Sequence, residues 1–373
     1  MTRTRDEDAC PGALQVHRAA DGLLARVRLP GGMIGPDQLE ALADAAIRFG
    51  AGTLELTARG NVQLRGVSDA AAVAAAVGAA GLLPSTTHER VRNIVASPLS
   101  GRLGGHDDIR PWVAALDCGI QSDPVLAGLP GRFLFGIDDG TADVSGMAAD
   151  VGVHVLPDAV ALVVAGRDTG IRLSREGSVE SLLTVARRFA QIRGNAWRIA
   201  ELDDPSVLLT GYEPSAPAVG GFTPPRPPVG WVEQDDGAVA LGAAVPLGVL
   251  SARQAQFVAA IGAPVVITPR RSLLVCDLTE QVADTALRVL APLGLVFDAA
   301  SRWLDISACV GSPGCERSMA DVRAEATRAA ESGSVTGTVH YVGCERACGS
   351  PPSGPVLVAT GDSYVPLNRP TVG

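Results

Sequence analysis

The sequence predicts an α+β fold that contains an internal duplication. A β-α-β-β-α order of elements occurs in residues 21–80 and again in residues 236–290. The run Thr268-Pro269-Arg270 repeats Thr57-Ala58-Arg59, and residues 236–241 repeat residues 21–26. Each copy leads into a further stretch of alternating strand and helix patterns. We therefore expect two ferredoxin-like half-domains, each followed by an α/β segment.

Hydrophobic periodicity places the elements of the first copy. Arg26 and Arg28 alternate with apolar residues in a strand predicted at 23–29. Pro36 opens a helix that ends before Gly50, because proline suits a first helical turn and glycine follows a last one. Strands at 53–57 and 61–65 and a helix at 69–80 complete this copy. The second copy has helices at 251–261 and 280–290 and strands at 265–268 and 272–277.

Composition shifts suggest five stretches along the chain. Residues 1–84 hold a polar tail and the first half-domain, and residues 85–212 form the first α/β segment, which lacks the clustered cysteines described below. Residues 213–230 contain six prolines and are predicted to be a semi-rigid linker. Residues 231–300 form the second half-domain, and residues 301–373 form a cysteine-bearing segment.

Charge and hydropathy limit the functional classes. All 31 basic residues are arginine, and arginine binds carboxylates through a planar, permanently charged fork. The net charge of −9 argues against a general nucleic-acid partner. The sequence contains neither a signal-like apolar segment at its start nor an apolar run of membrane-spanning length. We expect a cytoplasmic protein with no membrane partner.

Four of the seven cysteines lie near the end of the chain with metal-cluster spacing. Cys309 and Cys315 form a C-x5-C pair, and Cys344 and Cys348 form a C-x3-C pair, both among Gly, Pro and Ser residues. A cubane iron–sulfur cluster takes one thiolate for each iron, and small neighbours let backbone N–H groups reach the sulfurs. A helix predicted at 316–330 would place Cys315 at a helix N-terminus, where the dipole favours a thiolate.

Three other roles for these cysteines fit the sequence less well. Structural zinc sites draw their cysteines in pairs two to four residues apart, and C-x5-C lies outside that pattern. Disulfides are disfavoured by the odd cysteine count and by the absence of a secretory signal. Unpaired core thiols do not need two Gly/Pro-rich loops. The pattern therefore favours an iron–sulfur cluster.

The cysteine quartet, the run Leu-Thr-Ala-Arg-Gly-Asn-Val-Gln-Leu at 56–64 and the pair Arg92-Asn93 resemble the assimilatory sulfite and nitrite reductases. In that family, four cysteines hold a 4Fe-4S cluster and the last, here Cys348, bridges it to the iron of sirohaem. The resemblance implies a duplicated nitrite/sulfite reductase-like architecture with a tetrapyrrole site between the repeats. It implies roles near the macrocycle for these residues: Arg59, Asn61, Gln63, Arg92 and Asn93.

One motif departs from those reductases. Their LPRKFK-like run supplies two lysines for the small anion, whereas the run here is Leu-Pro-Gly-Arg-Phe-Leu at 129–134. Arg132 and Leu134 stand where the lysines would be, so one cationic donor is changed and the other is lost. A sirohaem-dependent sulfite or nitrite reductase stays as the alternative function, with Arg59, Arg92 and Arg132 as catalytic candidates under either reading.

Residues 10–12 (Cys-Pro-Gly), 26–32 (Arg-Val-Arg-Leu-Pro-Gly-Gly) and 135–140 (Phe-Gly-Ile-Asp-Asp-Gly) resemble the precorrin-3B synthases of aerobic cobalamin biosynthesis. This resemblance implies a monooxygenase that uses O2 to hydroxylate C20 of precorrin-3A, with the ring A acetate closing a γ-lactone. Arginines around the pocket would hold the substrate carboxylates; the candidates are Arg59, Arg65, Arg90, Arg92, Arg102, Arg110 and Arg132.

The same resemblance implies a mononuclear non-haem iron and an external electron source. His106-Asp107-Asp108 has suitable ligand types, but a solvated loop is the favoured interpretation, so we assign no second-metal ligands. No G-x-G-x-x-G follows a predicted strand, so electrons from NADH are expected to arrive through a separate reductase or ferredoxin-like protein. Cys10 and Cys118 lack metal-like spacing, and Cys276 is predicted to lie in the core.

Single Cys→Ser changes test the four cluster ligands. We expect replacement of Cys309, Cys315, Cys344 or Cys348 to remove the iron–sulfur absorbance of the purified protein, because one iron of the cluster then loses its thiolate. The matched change Cys118→Ser should leave the spectrum intact. A wild-type spectrum in one of the four variants would contradict the assignment of that cysteine.

Overall fold

The computed structural model describes residues 8, 10–223, 225–351, 354–361 and 363–367. Its first half-domain contains strands β1 (His17–Ala19), β2 (Gly22–Val27) and β3 (Met33–Ile34), helix α1 (Pro36–Phe49), strands β4 (Thr53–Leu56) and β5 (Val62–Val67), and helix α2 (Ala70–Ala79). The predicted helix at 36–49 is confirmed, and Asp69 caps α2 by accepting a hydrogen bond from the Ala72 N–H. The strands β1 and β3 were not predicted.

The first α/β segment follows. It contains β6 (Ile94–Ala96), α3 (Arg110–Ser122), β7 (Phe135–Asp138), β8 (Val151–Val155), β9 (Val160–Val164), β10 (Arg167–Leu173) and α4 (Ser178–Ile192). Its five strands form a sheet in the order β10-β9-β8-β7-β6. The pairs β6–β7 and β7–β8 are parallel, whereas the remaining pairs are antiparallel.

The second half-domain repeats the first. Its elements are β11 (Gly230–Glu233), β12 (Val239–Ala244), β13 (Val249–Ser251), α5 (Ala252–Ala259), β14 (Val265–Ile267), β15 (Ser272–Leu278) and α6 (Glu280–Leu290). The predicted helix at 280–290 is confirmed, and Thr279 caps it by accepting from the Val282 N–H. Cys276 is fully buried in β15, as predicted.

The two half-domains exchange short strands. The first sheet has the order β1-β2-β5-β4-β13 and the second has β11-β12-β15-β14-β3, so each sheet ends on a strand from the other half-domain. In the shared pairs, Leu250 lies opposite Leu54, and Val265 lies opposite Ile34. One hydrophobic core contains residues of both copies. The exchange therefore fixes how the two half-domains sit against each other.

The cysteine-bearing segment contains β16 (Ile306–Ala308), α7 (Val322–Ser332), β17 (Val339–Val342), β18 (Val356–Ala359) and β19 (Tyr364–Pro366). The strands lie in that order, with β16–β17 and β17–β18 parallel and β18–β19 antiparallel. This segment and the first α/β segment thus share a core of three parallel strands. No helix in the described part of the chain is long and apolar enough to cross a membrane.

The helix predicted at 316–330 is wrong at its start. Helix α7 begins only at Val322, with Asp321 as the cap, and residues 316–321 form turns. The reason is competition for backbone donors: the Met319 N–H donates to the Gly343 carbonyl at 3.0 Å, and the Ser318 N–H donates to the Cys315 carbonyl at 3.0 Å. Cys315 therefore does not lie at a helix N-terminus, and Met319 is 65% exposed.

Gly32 tests the contact between the half-domains. A Cβ at Gly32 would lie 2.0 Å from the Ile267 carbonyl oxygen of β14, and its φ is +71°. Gly52 has nearly the same φ, +72°, but nothing lies within 4 Å of a Cβ there. We expect Gly52→Ala to lower the free energy of unfolding by about 1 kcal/mol, from backbone strain alone.

Gly32→Ala should lower the free energy of unfolding by about 3 kcal/mol or more, because a carbonyl of the other half-domain must also move. Chemical denaturation of both variants measures the difference. Equal losses would contradict a tight contact between the half-domains at this point.

Candidate functional site

The two cysteine loops lie at the same edge of the sheet in the cysteine-bearing segment. Cys309 directly follows β16, and Cys344 follows the end of β17, its parallel neighbour. The carboxyl ends of adjacent parallel strands meet at one edge, which is where such sheets bind ligands. The Gly343 N–H donates to the Cys309 Sγ at 3.3 Å. An N–H group is thus directed at a thiol sulfur, as it is in iron–sulfur sites.

Cys315 and Cys348 lie close to Cys309 and Cys344. Burial, followed by the charges of Cys309, Cys344 and Cys315, raises the pKa of the Cys348 thiol above its ordinary value. The four thiols are therefore electrostatic neighbours. The loops interlock closely, because a Cβ at Gly343 would lie 1.8 Å from the Ser318 Oγ. Glycine is required at this position by a close approach.

His340 holds the second cysteine loop. It is fully buried in β17, its Nδ1 lies 2.7 Å from the Ser307 Oγ, and its Nε2 lies 3.1 Å from the Cys348 carbonyl oxygen. A neutral imidazole can donate to that carbonyl and accept from the serine hydroxyl. No motif in the sequence marks His340. The missed signal is its position on the strand that leads into Cys344.

The four cysteines suit a cubane cluster and not a single metal ion. No set of three His, Cys, Asp or Glu side chains in the described ranges is close enough to hold a single metal ion. A cubane cluster does not need such convergence, because its four thiolates bind four separate irons around the cluster. The four neighbouring thiols and the N–H group directed at Cys309 fit a cluster of this kind. The same residues do not fit a mononuclear iron.

The His106 loop is held by arginines. Asp107 pairs with Arg175 at 3.0 Å, and Asp108 pairs with Arg110 at 2.7 Å. Hydrogen bonds from Arg110 hold the pKa of the Asp108 carboxyl below its ordinary value. Both carboxylates are engaged by cations, and the His106 side chain is exposed.

An arginine-rich face covers the first sheet on the side away from the core. Alternate residues of β2 and β5 are in the core, among them Ala25, Val27 and Leu64. The intervening side chains, which include Arg26 and Gln63, project from the opposite face. We call this surface the arginine face; it consists of Arg26, Arg28, Glu55, Arg59, Gln63 and Arg65.

Arg28 carries a buried charge without a carboxylate partner. Its side chain is 3% exposed, and desolvation, followed by the charge of Arg26, lowers its pKa to about 9. Its Nε and Nη2 donate to the carbonyls of Arg90 and Pro11, each at 3.3 Å. Its Nη1 has no hydrogen-bond partner in the described part of the protein. An unsatisfied buried guanidinium is suited to receive an anionic group.

Arg59 is similar. Desolvation, followed by the charge of Arg198, lowers the pKa of Arg59 to about 10. Its guanidinium makes no hydrogen bond or ion pair to any residue that the structure describes. Arg26 lies close to both Arg28 and Arg59 and has its own pKa lowered, mainly by desolvation. Three mutually repelling cations are therefore gathered on one surface.

The arginine face borders the cysteine-bearing segment. Arg65 binds Asp21 with two hydrogen bonds of 2.8 Å and also donates to the Gly314 carbonyl at 2.9 Å, next to Cys315. Glu55 accepts from the Arg323 Nη2 of α7 at 2.6 Å. Two separate contacts thus join this face to the loop and helix that follow Cys309.

The structure engages several predicted site residues in internal contacts. Asn61 is 2% exposed, its Oδ1 accepts from the Leu29 N–H at 2.9 Å, and its Nδ2 donates to the Asn93 Oδ1 at 3.3 Å. Asn93 is equally buried and donates to the Gly131 carbonyl at 2.8 Å. This amide pair joins the first half-domain to the Leu-Pro-Gly-Arg-Phe-Leu loop.

Arg92 and Arg132 differ from each other. Arg92 is buried, and its Nε and Nη2 bind the two carboxylate oxygens of Asp117 on α3 at 2.6 and 2.8 Å. Arg132 is exposed, and its guanidinium lies 5.0 Å from the ring centroid of Trp197. Arg132 is close enough to Arg26 to lower its pKa. The structure thus groups Arg59, Gln63 and Arg132 around Arg26, whereas Arg92 is bound to α3.

Comparison with known proteins identifies related chains. Residues 15–79 match the family described as "Nitrite/Sulfite reductase ferredoxin-like half domain". A precorrin-3B synthase from Sinorhizobium sp is 29% identical over 95% of this chain and 81% of its own length. A ferredoxin–nitrite reductase from Synechococcus elongatus is 32% identical over 31% of this chain and 25% of its own length.

A solved structure shares the fold. The NirA protein of Mycobacterium tuberculosis superposes with a TM-score of 0.75 at 22% identity, over 92% of this chain and 73% of its own. At this identity, the likeness concerns architecture. It supports the duplicated arrangement of half-domains and α/β segments described above.

We expect that the buried charge of Arg28 does not stabilise the fold. Replacing an unpaired buried cation with a hydrophobic side chain of similar length removes a desolvation penalty, so Arg28→Met should leave the free energy of unfolding unchanged or raise it by about 1 kcal/mol. Arg102 is the matched control, because it is similarly buried but binds Asp277 through two hydrogen bonds of 2.7 and 2.8 Å.

Arg102→Met should lower the free energy of unfolding by about 2 kcal/mol, since it leaves the partly exposed Asp277 without its cation. Thermal and denaturant unfolding of both variants provide the measurement. If Arg28→Met destabilises the protein as much as Arg102→Met does, Arg28 has a structural role instead.

Proposed function

We propose that this chain, whose residues 15–79 match the nitrite/sulfite reductase ferredoxin-like half domain, binds a carboxylate-rich tetrapyrrole on the arginine face and acts on it. The proposed reaction is that of precorrin-3B synthase in cobalamin biosynthesis. The similarity to a precorrin-3B synthase over 95% of the chain supports this choice of substrate.

The observation that carries the proposal is the presence of desolvated guanidiniums without carboxylate partners. Arg28 and Arg59 have pKa values lowered to about 9 and about 10, and neither side chain has an ion pair within the described residues. Precorrin-3A carries several acetate and propionate groups. Binding these carboxylates to Arg28, Arg59 and Arg26 would neutralise the repulsion and orient the ring.

Two roles are proposed for the other site residues. Arg132, which is exposed beside Trp197, would contact a substrate carboxylate at the edge of the face. Arg92, Asn61 and Asn93 would act by fixing the loops around the substrate, because their polar groups are already engaged within the protein. Gln63 would orient Arg26, whose Nε donates to its Oε1 at 2.9 Å.

The cysteines Cys309, Cys315, Cys344 and Cys348 would hold a 4Fe-4S cluster, which supplies single electrons when bound. In the proposed reaction, one oxygen atom of O2 enters the C20 hydroxyl and the other leaves as water. Two electrons and two protons from an external donor balance the step, and the ring A acetate closes the γ-lactone. The donor would be NADH acting through a reductase or a ferredoxin-like protein.

The test is an assay of anaerobically prepared protein with precorrin-3A, an electron donor and 18O2. We expect a product heavier by one labelled oxygen atom, and a preparation that contains iron and sulfide but no extractable tetrapyrrole. Stoichiometric sirohaem with turnover of sulfite or nitrite would favour the alternative function. Unchanged precorrin-3A in the complete mixture would contradict the proposal.

Arg59 and its counterpart in the duplication provide a matched pair of variants. Arg270 occupies the corresponding position of the second copy, and its Nη2 donates to the Pro225 carbonyl at 3.5 Å. We expect Arg59→Gln to weaken precorrin-3A binding by about tenfold or more, since a charge-assisted hydrogen bond is lost. Arg270→Gln should bind as the wild type does. Equal effects in an equilibrium binding measurement would remove Arg59 from the substrate site.

A further inference from the structure

Glu55 occupies a distinctive position on the arginine face. It lies in β4, and its side chain is 9% exposed. Its charge acts on Arg26 and on Arg271 and raises their pKa values against the desolvation that lowers them. It also binds Arg323 directly at 2.6 Å. One carboxylate thus interacts electrostatically with three arginines, which come from the two half-domains and from α7.

The two oxygens of Glu55 have different partners. Oε1 accepts from Arg323, which lies on the helix that follows the first cysteine loop. Oε2 accepts from the Gln63 Nε2 at 3.4 Å. The Gln63 amide oxygen in turn accepts from the Nε of Arg26 at 2.9 Å. A continuous hydrogen-bonded chain therefore runs Arg323–Glu55–Gln63–Arg26.

The ends of this chain lie at different parts of the site. Arg26 is on the arginine face beside Arg28 and Arg59, where the substrate carboxylates are proposed to bind. Arg323 lies on the cysteine-bearing segment, and its charge also acts on Arg271. Arg271 in turn donates to the Gly349 carbonyl at 2.9 Å, next to Cys348, and senses the charge of Cys309.

We propose that Glu55 is a positioning residue that couples tetrapyrrole binding on the arginine face to the cysteine-held cluster. The inference rests on the proposed function. When a substrate carboxylate approaches Arg26, the charge on Arg26 is shared between that carboxylate and the Gln63 amide oxygen. Glu55 transmits the change to Arg323. By thermodynamic linkage, the state of the cluster must then affect substrate affinity to the same degree.

Three variants separate the parts of the chain. Glu55→Gln keeps the shape and removes the charge, whereas Arg323→Gln breaks only the contact with the cysteine-bearing segment. Asp123→Asn is the control, because Asp123 is a partly buried carboxylate that pairs with Arg187 of α4 at 2.7 Å, and neither residue belongs to the arginine face or the cysteine loops. Arg323 is 28% exposed, so its variant remains informative if Glu55→Gln does not fold.

The first measurement is the midpoint potential of the cluster without tetrapyrrole. We expect Glu55→Gln to raise the potential, because removal of a nearby negative charge favours the reduced, more negative cluster. Asp123→Asn should leave the potential unchanged. An unchanged potential in Glu55→Gln would overturn the inference, and this outcome does not depend on substrate binding.

The second measurement adds precorrin-3A. In the wild type we expect substrate to shift the midpoint potential and the spectrum of the reduced cluster. Glu55→Gln and Arg323→Gln should both lose most of this shift, and Glu55→Gln should bind precorrin-3A roughly tenfold more weakly. A wild-type shift in both variants would overturn the coupling. If the wild type holds its cluster but binds no precorrin-3A, the proposed function fails instead, and the first measurement still decides the role of Glu55.

Discussion

The strand exchange between the half-domains is the constraint on which the remaining structure depends. Each sheet is closed by a strand from the other copy, and residues of both copies form one core. Separating the copies would expose two sheet edges and open that core, so they are expected to behave as one unit. The outward faces of the two sheets are consequently held in a fixed relation. Each outward face then serves as a platform for one α/β segment.

The two platforms differ in chemistry although they share a backbone plan. The second sheet presents apolar residues, including Val266, Leu274 and Cys276, to Leu99 of the first α/β segment. The first sheet instead presents the arginine face, and its contacts with the cysteine-bearing segment are polar. An apolar contact serves to hold a segment in place, whereas desolvated charges can hold an anionic ligand. The two copies thus present one apolar face that packs on a segment and one arginine-rich face, which is the proposed binding face.

Sequence patterns were sufficient where the determinants are local. Helix α1 was predicted from Pro36 and from the glycines beyond Phe49, and α6 from its place in the repeated order of elements; both boundaries match. The strands β3 and β13 are two and three residues long and are defined by pairing across the duplication, so no local period marks them. The predicted start of α7 was wrong for a related reason. The N–H groups of residues 318 and 319 donate to backbone carbonyls of the two cysteine loops.

The candidate site also combines features that are local in the sequence with features that depend on distant segments. The cysteine spacing could be read directly, and the alternation in β2 indicated that Arg26 and Arg28 share a face. Sequence could not show that Arg28 is buried without a carboxylate, or that Arg92 is bound to Asp117, because both facts depend on segments far apart in the chain. Glu55 was missed because a carboxylate within a strand carries no motif. Its importance comes entirely from its neighbours.

The cations of the arginine face are all arginines, and the difference between arginine and lysine matters at this face. Desolvation lowers the pKa of Arg28 to about 9 and that of Arg59 to about 10, yet both side chains stay charged at neutral pH. A lysine has an ordinary pKa of about 10.4, well below that of arginine, so the same burial beside Arg26 would remove more of its charge at neutral pH. Only arginine can be buried this deeply, remain unpaired and still present a permanent cation to a carboxylate. A change from Arg to Lys on this face is therefore not conservative.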